Sequence, residues 1–320
     1  MTGARASVAV VGSVSADLTA YSTRLPAPGE TVLGEAFTLL LGGKGANQAV
    51  AAARAGAPTA FVGCVGDDPF RDMIVTSLER EGIELAHLRT VPGPSGIAHI
   101  RVDASAQNDI VVVPLANAAL DAEQVDSALA ALSPTTSVLL TQLETPIALT
   151  AHILRAARAH GILTLLDPAP AASLPDDAWR HVDIVTPNET EASILTGVAV
   201  TDAATAARAG NWFIDRGVGT AIITLAERGS VIVTAEGADL IAPIAVSAID
   251  TTAAGDAYAG TLGAALAAGA TVPEAVRRAT AAGAIAVTRR GASASLPTRA
   301  EVDALLQGCL SERPPVTLEG

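Results

Sequence analysis

Near the C-terminal third, Asp250-Thr251-Thr252-Ala253-Ala254-Gly255-Asp256-Ala257-Tyr258-Ala259-Gly260 places small residues around a carboxylate at the start of a helical run. Ala253, Ala254 and Gly255 carry no bulk, so N–H groups at a helix N-terminus stay open to an anion, whose charge the helix dipole favours. Asp256 then stands where a hydroxyl attacking a bound phosphoryl group would lose its proton. The same residue also reads as an ordinary first-turn acid that complements the dipole.

A second glycine-rich stretch, Leu41-Gly42-Gly43-Lys44-Gly45-Ala46-Asn47-Gln48-Ala49-Val50, leads into an alanine-rich helical segment. It is not a Walker A loop, which needs four residues between its glycines and Ser or Thr after the Lys. Its glycines would admit a small ligand close to the backbone, and Lys44 and Asn47 offer hydrogen bonds to hydroxyls. A bare turn with a solvated lysine is the alternative. In Thr186-Pro187-Asn188-Glu189-Thr190-Glu191, Asn188 and Glu191 have the spacing of a capping box.

These stretches belong to a longer series: Gly12-Ser13-Val14-Ser15-Ala16-Asp17, Pro28-Gly29-Glu30-Thr31-Val32, residues 42–56, Gln142-Leu143-Glu144, Asp167-Pro168-Ala169-Pro170-Ala171, and residues 186–197, 250–260 and 284–291. In this order, over nearly the whole chain, they resemble the PfkB-type (ribokinase-like) carbohydrate kinase family. The resemblance implies an α/β sandwich with a central, mostly parallel sheet, helices on both faces and a small β-sheet lid over a sugar. Residues 1–310 would form a single catalytic domain, with lid strands from about 18–40 and 96–114.

The implied activity is ATP-dependent phosphorylation of a sugar, with the 5-hydroxyl of D-ribose as the expected acceptor. Another sugar or a nucleoside is the alternative acceptor, and a non-catalytic sugar-binding sensor is a third reading. By the same resemblance Asp256 is the base, and the Ala253-Ala254-Gly255 backbone holds charge on the transferred phosphoryl. Ser15, Asp17, Gly43, Lys44, Asn47 and Glu144 would contact the sugar. Asn188, Glu191, Thr224, Ala226, Gly229, Gly255 and Thr280 would line the nucleotide, with Glu191 reaching Mg²⁺ through water, since that ion dehydrates reluctantly. Asp250, Thr252, Gly291 and Ser295 resemble a site for a monovalent cation, K⁺, formed mostly by backbone oxygens. Read locally, Glu144 is equally a helix cap before Pro146, and Asp17 a solvated turn acid.

Three positions depart from the family pattern. Ser15 stands where Asn is expected, so either water fills the gap or the acceptor is a different molecule. Ala226 replaces a usual Gly, at a cost of about 1 kcal/mol if the backbone there has positive φ. Thr280 replaces an Asn or His near adenine.

Half of the 320 residues are hydrophobic but only 2% are aromatic, so the core must be built from Ala, Val, Leu and Ile; the length suffices for a sizeable one. A net charge of −13 argues against nucleic acid or an anionic membrane as partner and favours a small molecule. Cys64 and Cys309 form no CxxC pair, which points to a reducing, cytoplasmic setting with buried, inert thiols. The five His show no ligand spacing for structural zinc. No signal peptide is evident, and the apolar run 257–272 reads as a buried helix and turn rather than a membrane span.

Short β-branched runs at 7–11, 59–65, 138–141, 163–167, 183–186, 221–225 and 230–234 read as strands. Helical patterns cover 45–55, 70–81, 146–160, 189–196, 203–216, 255–268, 273–289 and 299–310. Their alternation predicts a parallel sheet covered on both faces, with ligands beyond the carboxyl ends of the strands. Segments 18–40 and 96–114 break the alternation and predict strands without crossover helices, whose exposed edges would pair across a homodimer. The tail 311–320, with Pro314 and Pro315, is expected to be disordered.

Overall fold

The computed structural model describes residues 6–105 and 107–311. The chain begins β1 (Ser7–Val11), β2 (Ser15–Tyr21), β3 (Ala36–Gly42), α1 (Lys44–Arg54), β4 (Thr59–Gly66) and α2 (Pro69–Arg80). It continues through β5 (Glu84–Val91), β6 (Gly96–Val102), β7 (Asn108–Val113), α3 (Ala122–Leu132), β8 (Thr136–Thr141) and α4 (Ile147–Ala159). Next come β9 (Leu163–Leu166), β10 (Ile184–Val185), α5 (Glu189–Thr196), α6 (Ala203–Ile214), β11 (Thr220–Thr224), β12 (Ser230–Thr234) and β13 (Gly237–Ile241). Three helices close the described chain: α7 (Ala254–Ala267), α8 (Val272–Ala286) and α9 (Arg299–Ser311).

Among the described residues nine strands form one sheet in the order β13-β12-β11-β10-β9-β8-β1-β4-β5. It is parallel from β5 to β11, while β12 and β13 add an antiparallel edge. Strand β4 is buried along all eight residues, as a parallel strand with both faces covered must be. In β1, Val8 and Val10 face the layer built from α1, α2, α7 and α8. Ala9 and Val11 face α3 and α4, which is the period-two alternation of a strand. A neighbouring part of that second layer carries the largest rings. There Trp179 meets Trp212 at 5.8 Å and Phe213 at 5.2 Å between centroids, and the Arg216 guanidinium lies 3.6 Å over Trp212.

Two helices bring the motifs together. A methyl group at Gly260 would lie 2.5 Å from both the Ala51 Cβ and the Gln48 carbonyl oxygen, so glycine there lets α7 pack directly on α1. Helix α1, which follows Gly42-Gly43, is thus fixed against α7, whose first turn carries Asp256.

A separate four-stranded sheet, β3-β2-β6-β7, pairs β2 with β6 in parallel and places Ser15 opposite Gly96. It is the small separate sheet the resemblance implies, with β2 beginning before and β3 ending after the expected 18–40, and Phe37, Ile110, Val111 and Val112 on it are more than half exposed. At its root the buried Asn117 donates to the Val14 carbonyl at 2.8 Å and accepts from the Val14 N–H at 2.9 Å.

The alternation misses β5, β13 and α3. The first two are edge strands with weak apolar patterning, and β13 is largely exposed. Helix α3 did carry a signal: Asp121 caps it, and Val125, Ala128, Leu129 and Leu132 are its buried stripe. Cys64 is buried, but Cys309 is exposed, because the last turn of α9 presents Gln307, Gly308 and Cys309 outward. Ser311 closes α9, and the rest of the tail expected to be disordered lies outside the described residues. No helix among the described residues is long and apolar enough to cross a membrane.

Candidate active site

The motifs gather at the carboxyl ends of the parallel strands. Gly12 to Ser15 leave β1, Gln142 to Glu144 leave β8, Asp167 leaves β9 and Thr186 to Asn188 leave β10. Opposite them stands the N-terminus of α7. Ala253 precedes it with a left-handed φ of 58°, no side chain caps it, and the position a Gly255 Cβ would take has nothing within 4 Å. The Ala254 N–H, expected to face the phosphoryl, turns back to the Thr251 carbonyl at 3.3 Å, which leaves the N–H groups of Gly255 and Asp256 as the orphans that anion binding requires. A non-glycine residue at positive φ stores strain of about 1–3 kcal/mol, a feature that clusters at functional sites.

Asp256 is 4% exposed, so it is a buried group rather than a solvated first-turn acid. Asn47 donates to its Oδ2 at 3.0 Å, and Gln48 donates to its Oδ1 at 3.1 Å. The same Gln48 nitrogen donates to Asp167 Oδ2 at 2.8 Å. Lys44 Nζ lies 3.7 Å from Asp167 Oδ2 and 4.0 Å from Asp256 Oδ1. Burial alone would lower the Lys44 ammonium, but the charges of Asp167, Asp256, Glu144 and Glu191 hold it above its ordinary value. Burial, with Glu191 and Asp256 adding to it, pushes Asp167 up to about 7 against the pull of Lys44 and Gln48.

Asp17 lies within β2 and accepts a hydrogen bond from Ser15 Oγ at 2.8 Å. Burial is the main force raising it to about 6; the Ser15 bond opposes this, and the charges of Glu144 and Asp256 reinforce it. Glu144 does not cap α4. Its Oε2 accepts from the Lys44 N–H at 3.0 Å and from Ser13 Oγ, turning it toward the glycine-rich stretch. The glycines there answer to the protein itself. A Cβ at Gly42 would strike the Asp17 carboxylate, one at Gly43 the Val14 backbone at 2.8 Å, and one at Gly45 the Ser13 carbonyl at 2.6 Å. Their smallness packs the lid root and α1 together.

On the opposite side, Asn188 and Glu191 form both halves of the capping box of α5, each bond 2.9 Å long. Burial nevertheless raises the Glu191 carboxyl, against the Asn188 N–H bond and the Lys44 charge. Asn188 bridges to Thr224 at the end of β11. Ala226 begins the turn after β11 with φ 48°, the left-handed backbone for which glycine is the usual choice. At Gly229 a Cβ would lie 2.1 Å from the Ile241 carbonyl oxygen. Thr280 stands apart from the carboxylates: its hydroxyl donates to Val276 O at 2.9 Å, and it lines a groove of about 1040 Å³ between α8, α9 and the residues after β13.

Asp250 accepts from the Thr252 N–H and hydroxyl through Oδ1 and from the Gly291 N–H through Oδ2. Burial opposes its ionisation, but these bonds hold it below its ordinary value. The Ser295 hydroxyl turns back to Ala292 O. The motifs alone assign no role to Gln48, Gln142 or Asp167. The signal for two of them was present, since Gln142 and Asp167 each open a motif directly after a strand.

A parallel sheet with a buried carboxylate at an uncapped helix N-terminus, facing a small β-sheet lid, is the framework of a lidded α/β phosphotransferase. The chain belongs to the pfkB family of carbohydrate kinases, whose profile matches residues 5–299. It is 41% identical over 298 residues to the ribokinase of Haemophilus influenzae, covering 93% of this chain and 97% of that one. The deoxyribokinase of Salmonella typhi is 36% identical over 293 residues, 91% of this chain and 95% of that one. Among solved structures, the Arabidopsis thaliana ribokinase complexed with ribose and ATP superposes with a TM-score of 0.85 at 31% identity, over 94% of this chain and 98% of that one.

Proposed function

We propose that this protein transfers the γ-phosphoryl group of ATP to the 5-hydroxyl of D-ribose, giving D-ribose 5-phosphate and ADP. The observation that carries the reading is Asp256, buried and held by Asn47 and Gln48 at an uncapped helix N-terminus. The likeness to ribokinases names the acceptor. Asp17 and Glu144 orient the sugar hydroxyls, and Asn47 Oδ1, buried without a partner among the described residues, accepts one more. Asp256 takes the proton of the attacking hydroxyl. The free N–H groups of α7 face the transferred phosphoryl and hold its charge in place without reorganisation.

The residues present fit Mg²⁺ arriving on the nucleotide. Among those described, no group of three or more His, Cys, Asp or Glu could hold a metal by itself. Glu191 offers one carboxylate beside the site, suited to an ion that keeps most of its water. Bound there, Mg²⁺ would offset phosphate charge. We assign Asp250, Thr252, Gly291 and Ser295 to a K⁺ site, and K⁺ should raise the rate more than Na⁺. Equal rates in K⁺, Na⁺ and a bulky organic cation at one ionic strength would remove that site. We also assign residues 1–310 to one cytoplasmic catalytic domain, dimeric through the exposed lid strands.

Ser15 favours a second acceptor. Its short side chain is engaged by Asp17, and the Salmonella relative is a deoxyribokinase. Turnover of ribose, deoxyribose, fructose, adenosine and pseudouridine with ATP and Mg²⁺ decides the matter. Highest kcat/KM on ribose supports the proposal, another preferred acceptor replaces the sugar alone, and ATP hydrolysis independent of any acceptor defeats the kinase reading.

A further inference from the structure

Gln48 is fully buried and carries no assigned contact to sugar or nucleotide. Its Oε1 accepts from Gln142 Nε2 at 2.6 Å, so its own Nε2 must face the acids. The two hydrogens of that nitrogen are divided between Asp256 Oδ1 and Asp167 Oδ2, at 3.1 and 2.8 Å. Asn47, the preceding residue of α1, holds the other Asp256 oxygen. The backbone of Gln48 is fixed as well, because α7 packs at Gly260 against its carbonyl oxygen. Both oxygens of the Asp256 carboxylate are therefore tied to successive residues of one helix, and that helix is locked to the helix whose first turn carries Asp256.

We infer that Gln48 is a positioning residue for the reacting carboxylate, with Asp167 and Gln142 anchoring it from behind. A carboxylate tied at one oxygen can swing about its side-chain bonds. Tied at both, it presents one fixed lone pair to the hydroxyl, and misplacement of a reacting group by about 1 Å can cost on the order of a hundredfold in rate. Asp167 thereby gains a function the chemistry itself does not give it: it is the fixed acceptor that, with Gln142, sets the orientation of the Gln48 amide. The inference rests on Asp256 being the base.

Gln48→Met keeps the side-chain volume and removes both donors. We expect kcat to fall about ten- to hundredfold, with the sugar KM changed less than about twofold, because Gln48 does not touch the sugar. In an Asp256→Asn background the same change should alter the residual rate less than about twofold, since its effect passes through Asp256. A wild-type kcat overturns the inference. So does an equal loss in both backgrounds with a lowered calorimetric melting temperature, which marks a merely structural role. Should Gln48→Met fail to fold, Gln142→Met releases the Gln48 amide while leaving its donors. It should cost about three- to tenfold in kcat, again only where Asp256 is present, and an unchanged kcat overturns the inference. If Asp256→Asn alone turns over like wild type, the base assignment fails and the inference with it. If only the Gln48 and Gln142 variants are silent, the base stands.

Discussion

On the proposed acceptor side of the cleft, Ser15, Asp17, Asn47, Gln48, Glu144 and Asp256 are buried or partly buried side chains bonded mainly to partners distant in sequence. On the proposed nucleotide side, the Asn188 and Glu191 side chains cap their own helix, the Thr280 hydroxyl donates to Val276 O one turn back, and Ala226 contributes a backbone bend. One wall is held by side chains that fix one another, and the other is shaped by helix ends and turns. Specificity for the sugar should therefore respond sharply to single substitutions, while the nucleotide wall should absorb them.

The largest break is expected at Asp256→Asn. The amide still accepts a hydrogen bond but cannot take a proton, and loss of a general base costs about 10²–10⁴ in kcat. Steady-state kinetics alongside calorimetric sugar binding would show this, and turnover within threefold of wild type would refute it. Asp17→Asn comes next, removing a charged acceptor. Hydrogen bonds to charged groups are worth about 1.5–3 kcal/mol, so the sugar KM should rise about ten- to hundredfold with the ATP KM unmoved. The wild type carries a pH signature of the same contact. Because burial raises Asp17 to about 6, the carboxyl is protonated below that pH, and the sugar KM should climb as pH falls through 6 while Asp17→Asn stays flat. A flat wild-type profile counts against Asp17 as a sugar ligand.

A smaller effect is expected at Ser15→Asn. One added neutral hydrogen bond, about 0.5–1.5 kcal/mol, should lower the ribose KM roughly two- to tenfold at constant kcat. If the pocket suits a bulkier acceptor, activity on that acceptor collapses instead while ribose use stays poor. The smallest change sharpens the contrast from the other wall. Ala226→Gly relieves a left-handed residue and should stabilise the fold by about 1 kcal/mol with kcat within about twofold. A thermal melt that does not move, or moves down, shows the bend is unstrained.

The same division explains what could be read before folding. Helix starts and glycine turns are local, so the Asp256 stretch, the capping box of α5 and the strand-helix alternation were all visible along the chain. Gln48 meets Asp167 across 119 residues and Asp256 across 208, and no local pattern announces such a pairing. Gly42, Gly43 and Gly45 were recognisable as special, but which atoms they make room for emerged only when Val14, Ser13 and Asp17 came to lie against them. Strand β13 was missed because an exposed edge needs no apolar alternation.

The placement of the large rings has a spectroscopic consequence. Both tryptophans of the chain sit in the single cluster with Phe213, remote in sequence from the lid and from α7. Intrinsic emission excited at the red edge of the indole band is therefore a local reporter for the layer around α6, blind to opening of the lid. Circular dichroism weighs every helix alike. If emission and dichroism melt together, the molecule unfolds as one cooperative unit; if emission persists after the dichroic change begins, the alanine-rich layer of α1, α7 and α8 loosens first.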